Sequence, residues 1–101
     1  MNQSMLNRSE CIDIIRSAQP TLTQVYGVRS LLLFGSIARE EQRAESDVDV
    51  CVEMAPNLLN RIGVKHFLEE RLHCPVDVVR MRDSMNSTLK QQINKDGIPV
   101  F

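Results

Sequence analysis

Two acidic residues separated by a single valine, Asp47 and Asp49, stand ten residues after an apolar run that ends in a turn, Leu31-Leu32-Leu33-Phe34-Gly35-Ser36. The leucines and Phe34 read as the end of a buried strand. Gly35-Ser36 turns the chain and opens a short helix, and Asp47 and Asp49 begin a second strand. Residues i and i+2 of a strand share a face, which sets these carboxylates roughly 6–7 Å apart. At that separation two bare carboxylates repel by roughly 2–3 kcal/mol at an effective dielectric of about 20, and Asp is depleted in strands. A shared hard cation is the simplest use for such a pair. Mg²⁺ takes oxygen ligands and keeps substrate phosphates in its shell.

The rest of the chain supplies a scaffold for this stretch. Met1 to Asn7 has no pattern and is expected to fray. Ser9 reads as the N-cap of a helix carrying Ile12, Ile15 and Ala18. Pro20 interrupts it and starts a second helical piece with Leu22 and Val25, ending at Gly27. Val28 to Phe34 is a strand whose leucines imply burial on both faces and a central place in the sheet. A short helix runs from Ser36 to about Glu41, and Gln42 to Ser46 is a polar loop. In the strand from Asp47 to Met54, Val48, Val50, Val52 and Met54 form the core face. Asp47, Asp49, Cys51 and Glu53 form the other. Glu53 lies roughly 13 Å beyond Asp49 by strand rise, too far to share its metal.

Pro56 and Asn57 turn into a helix reaching about Leu72, with Leu58, Ile62, Leu68 and Leu72 as its apolar stripe. Gly63 weakens it by about 1 kcal/mol. Leu59 and Phe67 fall off the stripe, as ordinary partly exposed residues or as part of a partner surface. Pro75 to Arg80 is a third strand. Asp83 caps a helix carrying Met85, Leu89 and Ile93, which Asp96-Gly97 stops. Ile98-Pro99-Val100-Phe101 is extended, on a sheet edge where proline is tolerated. Alternating helices and strands give an α/β or α+β class: one small domain, residues 1–101, with a mixed sheet flanked by helices.

A formal net charge of −1 over 101 residues gives no reason to expect direct binding of nucleic acid. No apolar run approaches the ~18 residues of a membrane span, and no signal peptide is evident. Cys11, Cys51 and Cys74 are odd in number and lack a C-x-x-C pair, so neither disulfides nor a zinc site is expected. The expected address is cytoplasmic, with reduced thiols.

Two further features join the acidic pair. Gly35 lets backbone approach a ligand closely, and the helix expected after it offers free N–H groups to an anion, with the Ser36 hydroxyl beside them. The loop is not a Walker A motif, since its glycine spacing and lysine are absent. Asp77 lies between Val76 and Val78 in a short apolar strand, where a carboxylate is costly unless it pairs, with an arginine for instance, or binds metal. His66 and His73 lie too far apart on one helix to share a metal and are expected at the surface. Ser84, Ser87 and Thr88 lack a Ser-His-Asp context.

The Gly-Ser turn, the Asp-x-Asp pair and the later lone Asp occur together. In this pattern the chain resembles the nucleotidyltransferase superfamily that includes DNA polymerase beta. The closer resemblance is to the minimal nucleotidyltransferases (MNT), the antitoxin halves of HEPN–MNT toxin–antitoxin pairs. The matching residues are Leu33-Phe34-Gly35-Ser36, Ala38-Arg39, Ser46-Asp47-Val48-Asp49-Val50 and Pro75-Val76-Asp77-Val78-Val79. Gly27-Val28-Arg29-Ser30 supports them, and no key position departs from the pattern.

The resemblance implies a polymerase beta-like fold and two Mg²⁺ ions held by Asp47, Asp49 and Asp77. The first two would bridge both ions, and Asp77 would help deprotonate the acceptor hydroxyl. Gly35 and Ser36 would grip the β- and γ-phosphates of a nucleoside triphosphate. Arg39 would contact phosphate or else form a surface salt bridge. The implied activity transfers AMP from ATP to a tyrosine of a HEPN-domain RNase toxin. Two other readings stay open: an antitoxin that acts by complex formation alone, and a small-molecule nucleotidyltransferase of the aminoglycoside type. Members of the latter usually carry a helical region that this chain lacks.

Overall fold

The computed structural model describes residues 7–41, 47–82 and 87–101. The expected loop from Gln42 to Ser46, the Asp83 cap, Met85, Ser84 and the frayed start up to residue 6 lie outside them. Helix α1 (Arg8–Ser17) begins one residue after Asn7, not after Ser9. Asn7 Oδ1 accepts from Glu10 N at 2.8 Å while Asn7 N donates to Glu10 Oε1 at 3.1 Å. This reciprocal capping box satisfies two of the otherwise unpaired helix-start donors. Ala18 closes α1 and opens α2 (Gln19–Tyr26), with Pro20 in its first turn and Gly27 ending it. Leu22 is buried as expected, but Val25 is exposed.

Strands β1 (Ser30–Phe34) and β2 (Val48–Glu53) are antiparallel. Helix α3 (Leu58–Leu72), capped by the side chain of Asn57, crosses over to β3 (Val76–Arg80), which runs parallel to β2. Helix α4 (Ser87–Asp96) precedes β4 (Ile98–Pro99), an edge strand antiparallel to β1. The sheet order is β3-β2-β1-β4, so it is mixed, β1 is internal and Pro99 sits on an edge. The strand begins at Ser30, two residues later than Val28, because Val28 still belongs to the turn: its N–H donates to Leu22 O and its carbonyl accepts from Thr23 Oγ1.

The main core lies on one face of the sheet. There Leu31, Leu33, Val48, Val50, Val52 and Val76 pack against α1, α2 and α3. The predicted valine face is buried throughout, and Met54 with it. On the other face Ile93 and Leu89 of α4 meet Phe34, Cys51, Leu32 and Val79. The stripe of α3 differs from the expected one. Val64, Leu68 and Leu72 are buried, whereas Leu58 and Ile62 are exposed. Phe67 is accounted for: its ring stands 6.0 Å from that of Tyr26, with the Arg71 guanidinium 4.9 Å above it. Gly63 has a use as well. A Cβ there would overlap the Tyr26 ring, so the glycine is what lets α2 close on α3.

Candidate active site

Register builds the site. Phe34 pairs with Asp49 across β1–β2, and Asp49 pairs with Asp77 across β2–β3. Directly paired residues share a face, so Asp49 and Asp77 stand side by side on the α4 face. Asp47, two residues before Asp49 and just outside β2, keeps the same parity. Asp49 is half-buried, while Asp47 and Asp77 are exposed. Asp77 is therefore not the buried carboxylate that its apolar neighbours implied. On the edge strand β3 only Val76 and Val78 turn into the main core. Nor does Asp77 take an arginine partner: among the described residues no ion pair reaches it.

Gly35 follows Phe34 with φ +82°, a conformation that favours glycine. A Cβ at that position would occupy the place of Asp49 Oδ2. The missing side chain is thus the seat of the carboxylate. Burial there raises the Asp49 pKa from its ordinary 3.8 to about 6; Asp77 and then Asp47 push it the same way, and Arg39 opposes them.

The segment after Gly35 is not the expected helix. Arg39 N donates to Gly35 O, Glu40 N to Ile37 O and Glu41 N to Ser36 O, bonds spanning four, three and five residues. Buried Ile37 and Ala38 pin this irregular turn to the core, and Arg8 of α1 holds it through Ala38 O at 3.2 Å and Glu40 at 2.8 Å. Among the described residues no hydrogen bond uses the N–H of Ser36, Ile37 or Ala38. The anion-binding potential lies in this bent backbone rather than in a helix end. Arg39 Nε meets Glu41 at 2.9 Å and its Nη1 meets Asp96 at 3.0 Å. These bonds, that to Glu41 foremost, strengthen its hold on the proton. Arg39 therefore makes the surface salt bridges, ties the turn to the end of α4 and faces the field of Asp49.

Asp47, Asp49 and Asp77 offer only oxygen donors, the chemistry of a hard divalent cation. Asp77 and Asp47 act on Asp49 as negative charge that Arg39 only partly offsets, and a cation would relieve it. Among the described residues no three metal-binding side chains already stand close enough to enclose an ion. The donors fit Mg²⁺ in kind and charge, but they are not gathered into a ready-made cage.

One contact had only a weak signal in the sequence. Lys65 and Glu69, an i, i+4 pair on α3, clasp the start of β3. Glu69 Oε2 accepts from Val76 N at 3.0 Å and from Lys65 Nζ at 3.0 Å, and Lys65 Nζ also donates to Val76 O at 2.7 Å. The Val76 bond, and next Lys65, lower the pKa of Glu69. Elsewhere Glu53 accepts from the Ser30 hydroxyl, remote from the acids, and His66 and His73 are exposed. All three cysteines are free, and burial, with Cys74 adding to it, pushes Cys11 up to about 12. No described helix is long and apolar enough to cross a membrane.

The comparisons agree on one family. Residues 16–101 match the model of the polymerase beta nucleotidyltransferase family. The protein adenylyltransferase MntA of Thermococcus cleftensis is 33% identical over 99 residues, covering 96% of this chain and 99% of that protein. A crystal structure of a toxin–antitoxin with AMP-PNP superposes with a TM-score of 0.67 at 28% identity, covering 95% of this chain and 73% of that one. The complex of a tri-AMPylated Shewanella oneidensis HEPN toxin with MNT antitoxin shares the fold, with a TM-score of 0.64 at 22% identity over 89% of this chain and 71% of that one. This chain belongs to the polymerase beta nucleotidyltransferase family.

Proposed function

We propose that this chain is an antitoxin that transfers AMP from ATP to a tyrosine hydroxyl of a HEPN-domain toxin and thereby silences it. The observation that carries the reading is the seating of Asp49 over Gly35, beside Asp77 and next to a turn with N–H groups to spare. The names of the relatives support it, an adenylyltransferase and toxin–antitoxin complexes, one with an ATP analogue and one with an AMPylated toxin.

The Gly35-Ser36 turn holds the β- and γ-phosphates, and the Ser36 hydroxyl donates to one of them. Arg39 adds positive charge at the turn's edge. Asp47, Asp49 and Asp77 would hold two Mg²⁺ ions, which when bound neutralise the charge that develops on the transferring phosphate. The acceptor oxygen forms a bond to the α-phosphorus. The bond from that phosphorus to the pyrophosphate oxygen breaks, and Asp77 takes the hydroxyl proton. Asp49 must be ionised to serve. ATP labelled at either the α- or the γ-phosphate, given with a HEPN partner as acceptor, separates the possibilities. Label from the α-position should reach the partner, label from the γ-position should not, and Asp47→Asn should abolish transfer. Retention of the γ-label would identify a kinase instead.

A further inference from the structure

We propose that the free edge of β3 is the docking surface for an extended, acidic segment of the protein acceptor. This deepens the adenylyltransferase reading and rests on it for the identity of the partner. Val48 N donates to Pro75 O, and Met81 N to Val52 O. By strand alternation Pro75, Asp77, Val79 and Met81 therefore turn their main chain toward β2, and Val76, Val78 and Arg80 turn theirs outward. The Lys65–Glu69 clasp closes off Val76. Among the described residues no bond caps the outward groups of Val78 and Arg80. An edge so exposed is a template for another strand.

Two clefts flank that edge and share Arg61. One, of about 230 Å³, is lined by Arg61, Ile62, Lys65, Asp77 and Val78. Asp77 contributes to its wall, so the cleft lies along the strand that also bears one of the candidate acids. The other, of about 220 Å³, runs between Leu58 and the side chains of Arg80 and Arg82. Beside them Leu58 is 61% exposed, Leu59 79% and Ile62 40%.

Charge selects the occupant. Among the described residues none of Arg61, Arg80 and Arg82 is held in an ion pair, in a chain of net charge −1. These arginines call for acidic residues, and the leucines for apolar ones between them. A second copy of this chain fits badly. The clasp leaves Val78 to Arg82 open, and a two-fold pairing centred on that segment sets Arg80 against Arg80, a like-charge contact. RNA would answer the arginines but not the alternating donors and acceptors of the strand edge.

The test titrates a short synthetic peptide of alternating glutamate and valine with a central tyrosine into isotope-labelled protein. The control peptide has lysine in place of glutamate. The amide signals of Val78 and Arg80 should move with the glutamate peptide. The lysine peptide, and the double variant Arg80→Glu with Arg82→Glu, should each bind roughly tenfold more weakly or worse. Mg²⁺-ATP affinity of the double variant should stay that of the wild type. Equal binding of both peptides, or shifts away from β3, would overturn the proposal. So would tighter binding of a single-stranded RNA at the same amides, or a wild-type dimer that the double variant dissolves. Peptide binding at Val78 and Arg80 in a protein that fails to bind Mg²⁺-ATP would support the docking edge and contradict the adenylyltransferase reading.

Discussion

Asp49 is held in a protonation balance that its surroundings set. Burial against Gly35, then Asp77 and Asp47, raises its pKa to about 6 from 3.8. Between these values the folded chain holds a proton that the unfolded chain has released. The carboxyl's favourable contribution is therefore fully present below about pH 4 and is lost as pH rises through about 6. In the metal-free protein the urea midpoint of the wild type should fall relative to that of Asp49→Asn between pH 4 and pH 7. The two should be similar at the acid end, and the variant more stable at the neutral end. A constant difference across that range would mean that Asp49 is not perturbed. Its candidacy is legible in the sequence: its i, i+2 spacing from Asp47 and its distance from Gly35-Ser36 mark it out. Its seat over Gly35 is not, because that depends on the β1–β2 register, which no local pattern specifies. Asp77 shows the complementary failure. Apolar neighbours implied burial, but an edge strand exposes one face.

Helix α3 shows where periodicity stops informing. Its last half follows the core stripe, while Leu58 and Ile62 keep the spacing and lie outside it. Spacing identifies a face, but how far the partner layer extends beneath it is a tertiary fact. Gly63 makes the same distinction testable. Helix propensity alone predicts that Gly63→Ala stabilises by about 1 kcal/mol. Packing predicts the opposite sign, because the new Cβ overlaps a Tyr26 ring that itself packs on Phe67. We expect a net loss of about 1–3 kcal/mol from overpacking, read from chemical denaturation. A gain would show that Tyr26 moves aside freely. The segment from Ser36 to Glu41 is expected to be a short helix opened by the Gly35-Ser36 turn. Its buried Ile37 and Ala38 and its tethers to Arg8 and Asp96 bend it instead, contacts made by residues distant in sequence.

At the scale of the molecule, α1, α2 and α3 build one thick layer that fixes the sheet. The thinner cover of α4 leaves the acids open at one end of the other face. Element order and the valine face of β2 were legible, since each depends on local pattern. Strand direction was not, and neither was the clasp from α3 onto the β3 edge, which needs the assembled sheet. The division of labour that follows is specific. In the proposed reading the acids carry the chemistry, and the exposed surface from Leu58 to Arg82 carries the partner. Asp49→Asn keeps shape and volume, so it should still bind the toxin while losing transfer. A deficit of even about 4 kcal/mol at the transition state slows the reaction roughly 10³-fold. The most direct measurement is the intact mass of a HEPN toxin co-expressed with either form at matched levels. With the wild-type chain the toxin should gain whole AMP units and the cells should grow. With Asp49→Asn it should keep its unmodified mass, and growth should stop. Growth restored by both forms, with the toxin's mass unchanged in each, would contradict adenylyl transfer as the means of neutralisation.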